Sequence, residues 1–337
     1  MQLRVLGLKD DLDAYNVGNE VWPGVEFIRE RTRSMPKTSR SILLGAELDG
    51  VPAGFLMIVG LPIRPGGRGF GYLHVNEWAR RRGVGSALRK RMTECVAELG
   101  LPGVVMTAPD DPAALSAVQA WGFSLAGRHY ESELDLTCLD LRVVAEAVRA
   151  AAAAGVSLEL LGSSAHVQGD IDGLSEGVVD EAKLRAVYPF FVDRFREAPD
   201  SEGSLAPMPF EIFTGFVGAP WRVMQAFKGG ELVGVTGVAP RASGTVNTFF
   251  TGVHPDHRGQ GIAVALKAAH AQILKDRGLV RVVTQNMDSN APILAANARL
   301  GFRRVSAYVD VLVDLPSPVA RPAQGAQDGA QVARGRR

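Results

Sequence analysis

The residues best suited to chemistry lie in one stretch, Val253-His254-Pro255-Asp256-His257-Arg258-Gly259-Gln260-Gly261-Ile262-Ala263. Gly259 and Gly261 release the chain from the usual φ limit and place no side chain in the way, so successive backbone N–H groups can converge on one small volume. If a helix starts there, its unpaired N–H groups and its dipole act on the same volume, which suits a phosphate or pyrophosphate. Two other phosphate-binding patterns fail. The dinucleotide fingerprint requires a third glycine where this chain has Val264, and the P-loop requires Lys and Ser or Thr where it has Ile262-Ala263.

Such a cradle needs a strand to deliver the chain and a helix to carry it away. Val246, Phe249, Phe250 and Val253 are β-branched or aromatic and predict the strand. Ile262, Ala265, Leu266, Ala269 and Ile273 recur at helical spacing and predict the helix.

The same arrangement occurs twice. Ile42–Leu56, with an Asp49-Gly50 turn, reads as a hairpin, and Val223–Val235, with Gly229-Gly230, repeats it. Gly54 and Gly234 are 180 residues apart, Val75 and Gly83 stand 178 before Val253 and Gly261, and Trp121-Gly122-Phe123 stands 179 before Leu300-Gly301-Phe302. Three landmarks in one order at nearly one spacing imply a tandem duplication of a fold of about 150 residues, an ordinary domain size. Each copy is expected to contain a strand, one or two helices, a hairpin, a strand ending in the loop, a helix, a strand, a helix and a last pair of strands. The first-copy helices are expected to start near Leu12 and Gly83. A helix over 180–197 is expected to gather Leu184, Val187, Tyr188, Phe191 and Phe195 on one face. Alanine-rich Leu139–Ala154, stopped by Gly155, reads as the connecting helix. The domains are therefore drawn at 1–154 and 155–315, with 316–337 a disordered tail of Pro, Ala, Gly, Gln and Arg.

The pattern Arg258-x-x-Gly261-x-Ala263 straight after a strand resembles the coenzyme A pyrophosphate loop of the GNAT superfamily of N-acetyltransferases. The likeness extends through Val282-Val283-Thr284-Gln285-Asn286 and Asn290–Phe302 to nearly all of the second copy, and the first copy matches more loosely. It implies an α/β chain of two tandem GNAT folds, of a kind found in actinomycetes, including in antibiotic pathways. Each would be a central, mostly antiparallel mixed sheet splayed between strands 4 and 5 and flanked by helices. It also implies that the pantetheine arm lies in the splay and that the backbone at Val253 holds the acyl carbonyl. The cofactor-binding residues it carries over are Gly252, Val253, Arg258, Gly259, Gln260, Gly261, Ile262, Ala263, Asn286 and Asn297 in the second copy. In the first they are Leu73, His74, Val75, Arg80, Arg81, Arg82, Gly83, Val84, Gly85 and Ser86. The three arginines also suit the 3′-phosphate of coenzyme A, and equally a solvated basic patch.

Acetyl transfer from a thioester to an amine needs a neutral amine, a polarised carbonyl and a stabilised or protonated leaving thiolate. Where the family often has a tyrosine as proton donor this chain has Asn297, and Val118 in the first copy. An amide donates a hydrogen bond without giving up its proton, so Asn297 suits cofactor contact. The family's strand glutamate is missing, since the matching ground holds Gly69-Phe70 and Asn247-Thr248. His74 stands as a base candidate against a structural, hydrogen-bonded role, and His254 and His257 flank a turn. No catalytic residue is assigned. Asp193, Glu197, Asp200 and Glu202 read as a solvated acidic face, or as an attraction for a cationic amine.

With 37 basic and 36 acidic residues among 337, net charge is +1, which gives no field for gathering nucleic acid or an anionic membrane. Cys95 and Cys138 have no metal-ligand spacing, the N-terminus has no apolar signal core and no long apolar run occurs, so a cytoplasmic protein with reduced thiols is expected. The expected function is acyl transfer from an acyl-CoA, acetyl-CoA by default, to a small-molecule amine in a ternary complex, by a monomer or homodimer. A non-catalytic acyl-CoA-binding or regulatory protein is the alternative. A nucleic-acid-associated role has only Arg80–Arg82 and the basic tail behind it.

Overall fold

The computed structural model describes residues 1–7, 9–17, 40–60, 67–161, 179–199, 208–217, 220–242 and 244–315. The tail expected over 316–337, together with Asp200 and Glu202, lies outside them. The first copy runs β1 (Gln2–Val5), α1 (Leu12–Tyr15), β2 (Ser41–Leu48), β3 (Val51–Val59), β4 (Gly69–Val75), α2 (Val84–Glu98), β5 (Gly103–Pro109), α3 (Pro112–Ala120) and β6 (Ser124–Asp135). Helix α4 (Leu141–Ala153) then leads to β7 (Val156–Leu160), α5 (Glu181–Arg196) and α6 (Phe210–Val217). The second copy continues with β8 (Val223–Lys228), β9 (Glu231–Ala242), β10 (Thr245–Val253), α7 (Ile262–Asp276), β11 (Arg281–Met287), α8 (Ala291–Arg299) and β12 (Arg303–Asp314).

Both hairpins close where expected. Asp49 and Gly50 sit at φ 53° and 78°, and Gly229 and Gly230 at 59° and 83°. Two consecutive positive φ values belong to the tight turn whose twist matches paired strands. Gly155, at φ 76°, ends α4.

The twelve strands described form one sheet, ordered β1-β2-β3-β4-β5-β12-β6-β11-β10-β9-β8-β7. The last pair of strands expected within each copy is here a single shared pair. β12 of the second copy lies against β5 of the first, β6 of the first lies against β11 of the second, and β6 and β12 pair with each other. Their register runs Arg303↔Glu133, Ala307↔Tyr130, Tyr308↔His129, Val309↔Arg128 and Leu312↔Ser124. Subtracting the repeat offset of 179 makes this ladder symmetric about Tyr308↔His129, so a pseudo-two-fold axis passes through that pair. Exchange satisfies backbone groups that would otherwise be sheet edges on both copies.

Helices cover both faces. Val84, Leu88 and Met92 of α2 pack with Leu56, Val104, Val309 and Val311. Val264, Ala268 and Leu274 of α7 pack with Leu134, Val246, Val282 and Ala147 of α4. The opposite face carries Leu12 of α1, Val187 and Phe191 of α5 and Phe213 of α6, with Phe55, Tyr72 and Phe250 from the sheet. The α5 stripe faces this core as expected: Leu184, Val187 and Phe191 are buried, and Tyr188 and Phe195 pack against it. Phe191 anchors the layer, with ring centroids 4.5 Å from Phe250 and 4.9 Å from Phe213.

Candidate active site

Strand β10 ends at Val253, a short 3₁₀ turn occupies Pro255–His257, and α7 starts at Ile262 with Gly261 as its N-cap. Gly261 has φ 78° and Gly259 has φ 75°. A Cβ at either would meet nothing within 4 Å, so the need for glycine is conformational and the volume above the helix start is open. The Arg258 side chain folds back, Nε donating to the Val253 carbonyl at 3.1 Å, and its guanidinium pairs with Glu197 at the end of α5. Lys228 Nζ donates to Gln260 Oε1 at 3.1 Å, which fixes the loop's crown to β8.

The first-copy loop repeats these contacts. Arg80 Nε donates to the Val75 carbonyl at 3.3 Å, and Gly83, at φ 85°, caps α2. Arg81 occupies the place of Gly259 with φ 61°, a conformation that costs an ordinary side chain about 1–2 kcal/mol. Arg82 lies over the exposed Trp78 ring at 5.5 Å, and Ser86 is exposed on the first turn of α2. Gly85 is where the copies differ sterically, because a Cβ there would come within 3.3 Å of the Trp121 indole. Behind the loops, Gly54 and Gly234 let the helices approach the hairpins. A Cβ on Gly54 would come within 2.7 Å of the His74 carbonyl and 3.1 Å of Val84; one on Gly234, within 2.9 Å of Leu266 and 3.1 Å of Ile262.

Beside each loop a parallel ladder stops early. Strands β10 and β11 pair from Thr245↔Arg281 to Thr248↔Thr284, yet β10 runs on to Val253 and β11 to Met287. Strands β4 and β5 pair from Gly69↔Val104 to Gly71↔Met106, while β4 continues to Val75 and β5 to Pro109. Past the second ladder, Asn286 Oδ1 accepts from Asn297 Nδ2 at 2.8 Å. Asn297 is 2% exposed and its own Oδ1 is buried without a hydrogen-bond partner among the described residues. A buried amide oxygen without a donor is costly, and an amide N–H of a pantetheine arm supplies what it lacks. The open cradle and this orphaned acceptor fit an acyl-CoA.

Other predicted residues have local duties. His74 Nε2 is 3.1 Å from the Val17 carbonyl, and burial lowers its pKa below the ordinary histidine value. Leu73 packs with the α2 core. A Cβ on Gly252 would come within 2.7 Å of Arg194 Cβ, so this glycine admits α5 to the end of β10. His254 Nδ1 accepts from Asp256 N–H at 3.4 Å within the 3₁₀ turn. Glu197 holds Arg194 at 3.0 Å as well as Arg258, so its charge is spent on two guanidiniums, and Asp193 is exposed on α5.

The chain matches the family model described as acetyltransferase (GNAT) over residues 10–123 and again over 185–302. It belongs to the GNAT acetyltransferase family. Membership carries acyl-CoA-dependent acyltransferase chemistry, and the double match carries the tandem arrangement. Among solved structures, a tandem GNAT protein from the clavulanic acid biosynthesis pathway matches with TM-score 0.64 at 22% identity, covering 94% of this chain and 99% of that one. A GCN5-related N-acetyltransferase from Sphaerobacter thermophilus matches with TM-score 0.60 at 17% identity, covering 86% and 85%. A glucosamine N-acetyltransferase region of a fungal multi-domain beta-N-acetylglucosaminidase matches with TM-score 0.65 at 14% identity, covering 92% of this chain and 38% of that one. These likenesses concern the fold. No curated protein matches the sequence. Among the described residues no helix is long and apolar enough to cross a membrane, and no cluster of side chains has the makings of a metal site.

Strand exchange brings together residues that the sequence reading passed over. Glu131 of β6, 6% exposed, accepts from Arg241 at 2.8 Å and from Gln285 Nε2 at 3.1 Å. His129 Nδ1 lies 3.5 Å from Asp310 Oδ1, and the His129 ring lies 5.5 Å from that of Tyr308. The 179-residue offset was the available signal, since it relates Glu131 to Asp310 and His129 to Tyr308.

Proposed function

We propose that this GNAT protein transfers an acetyl group from acetyl-CoA to the amine of a small molecule, by direct attack in a ternary complex at the second-copy loop. The observation that carries the reading is the open, left-handed Gly261 cap of α7 at the end of β10, with the orphaned Asn297 oxygen beside the ladder's end. Bound acyl-CoA supplies an activated thioester. The chain's own N–H groups from Gly259 to Ala263 meet the pyrophosphate, Val253 presents its backbone to the acyl carbonyl, and Asn286 and Asn297 line the arm in a splay between β10 and β11. The two units are taken as 1–154 and 155–315 with their last strands exchanged. The setting proposed is antibiotic or other specialised metabolism in the cytoplasm, suggested by the tandem relative from the clavulanic acid pathway.

The first loop, with Leu73 to Val75 and Arg80 to Ser86, is assigned a weaker coenzyme A site. Arg81 replaces a glycine at positive φ, and Val118, in the place of Asn297, is buried in the α2 core. Calorimetric titration with acetyl-CoA, followed by mass spectrometry of products from a panel of primary amines, tests the reading. Tight binding at one site with acetylated product is expected. Binding without transfer to any amine would favour a regulatory acyl-CoA sensor.

A further inference from the structure

Neither copy carries the family's strand glutamate, yet the exchanged strands put ionisable groups beside both ladder ends. The three β11 residues past the β10 ladder, Gln285, Asn286 and Met287, are backed by Glu131, Tyr130 and His129 of β6. The three β5 residues past the β4 ladder, Thr107, Ala108 and Pro109, are backed by Asp310, Val309 and Tyr308 of β12. Side chains alternate along a strand. Leu134 packs under α7 and Val309 and Val311 under α2, so His129, Glu131, Tyr308 and Asp310 point to the opposite face, the one carrying α5 and α6. The loop helices therefore lie on one face of the ladder ends and this cluster on the other.

We infer that His129, oriented by Asp310, is the general base for the second-copy site, delivered to it by the first copy's last strand. The inference rests on the acyltransferase reading. His129 is the β6 residue opposite Met287, at the open end of β11, and Asp310 holds its Nδ1 at 3.5 Å. A carboxylate on Nδ1 sets the tautomer and leaves Nε2 as the basic nitrogen. In the step, the amine nitrogen forms a C–N bond to the thioester carbonyl carbon, the C–S bond breaks, and the electron pair leaves on the coenzyme A thiolate. The amine proton passes to His129 Nε2. Among the described residues, the charged and titratable groups around the imidazole include Asp310 and Tyr308 on β12, and Glu131 on its own strand with Arg241 of β9 bound to that carboxylate. Glu131 is committed to Arg241 and Gln285, which suits it to positioning rather than proton transfer. In the first copy the axis puts Tyr308 where the second has His129, so that copy has no equivalent base.

The test follows the His129 imidazole by NMR in the full-length wild type, with His129→Gln assigning the resonance and Asp310→Asn as the second variant. Acetyl-CoA binding is measured by calorimetry in each. The inference expects saturating acetyl-CoA to shift the His129 resonance, and Asp310→Asn to lower its titration midpoint, because an opposite charge favours the protonated ring. It expects His129→Gln to bind acetyl-CoA normally while kcat for any amine acetylated by the wild type falls about 100-fold or more, with loss of the ascending pH limb. A His129 resonance indifferent to bound acetyl-CoA, or an unchanged pH profile in His129→Gln, overturns the assignment. Failure of the wild type to bind acetyl-CoA overturns the acyltransferase reading with it.

Discussion

The two loops are built to one plan and differ in what surrounds them. Arg80 and Arg258 return to the carbonyls of Val75 and Val253, and Gly83 and Gly261 cap their helices at φ 85° and 78°. Around the second loop are a relaxed Gly259, a buried Asn297 whose oxygen has no partner among the described residues, and His129 across the ladder end. Around the first are a strained Arg81, an apolar Val118 and Tyr308. The difference teaches that retaining a cradle is compatible with losing the groups that make it useful, since the cradle is backbone and its neighbours are side chains.

The largest effect is expected from charge placed in the cradles. Gly261→Asp adds a carboxylate where an anion is to bind and forces a non-glycine residue to φ 78°; acetyl-CoA affinity should fall more than about 100-fold and transfer should cease. Gly83→Asp should remove only a weaker binding event. Calorimetric stoichiometry on both variants decides. Loss of the tight event from Gly83→Asp would reverse the roles given to the two copies.

Next comes a buried cation. Lys267 lies on α7, 178 residues after Arg89 on α2, with its Nζ over the Phe302 ring at 5.0 Å and without a hydrogen-bond partner among the described residues. Burial pushes its pKa down from 10.5 to about 7. Between those values the unfolded chain holds a proton that the folded chain has lost, so stability rises with pH across that window, and below pH 7 the full penalty applies. Lys267→Met should therefore stabilise the protein by roughly 2–4 kcal/mol at pH 6, the cation–π contact offsetting part of the penalty, and by progressively less as pH approaches 10. Denaturant unfolding at the two pH values checks it. Arg89, at the matching place on α2, reaches the Trp121 carbonyl at 3.5 Å.

Much of this was legible in sequence because it depends on local rules. Positive-φ glycines, the hairpin turns and the stripe of α5 each follow from a few adjacent residues, and the repeat offsets followed from comparing the chain with itself. What sequence could not supply was which copy's strand fills which gap. Both β6 and β12 satisfy the same pattern of alternation, so cis pairing and exchange read alike. The His129–Asp310 contact therefore escaped notice, as did the pairing of Glu197 with Arg258, which joins residues 61 positions apart.

The paired glycines behind the loops should separate on a smaller scale. The nearest neighbour of a Cβ on Gly54 is a backbone carbonyl at 2.7 Å, and on Gly234 it is a leucine methyl at 2.9 Å. Side chains yield more easily than backbone, so Gly54→Ala should cost about 2–3 kcal/mol and Gly234→Ala about 1 kcal/mol, read from thermal or denaturant unfolding. Equal costs would mean that the second helix is held as rigidly against its hairpin as the first.

The smallest effect tests whether the strain at Arg81 is the result of relaxed demands on the first loop. Arg81→Gly removes a left-handed arginine but adds unfolded-state entropy, so a net gain of about 0.5–1 kcal/mol is expected. Gly259→Arg, the reverse change, should cost about 1 kcal/mol in stability. A Cβ at Gly259 meets nothing within 4 Å, and Arg81 takes the same left-handed conformation in the matching place, so the loop backbone keeps its shape and acetyl-CoA affinity should fall less than tenfold. If calorimetry instead finds binding abolished by Gly259→Arg, the glycine is needed for the loop's shape under ligand, and Arg81 alone is enough to explain a weaker first site.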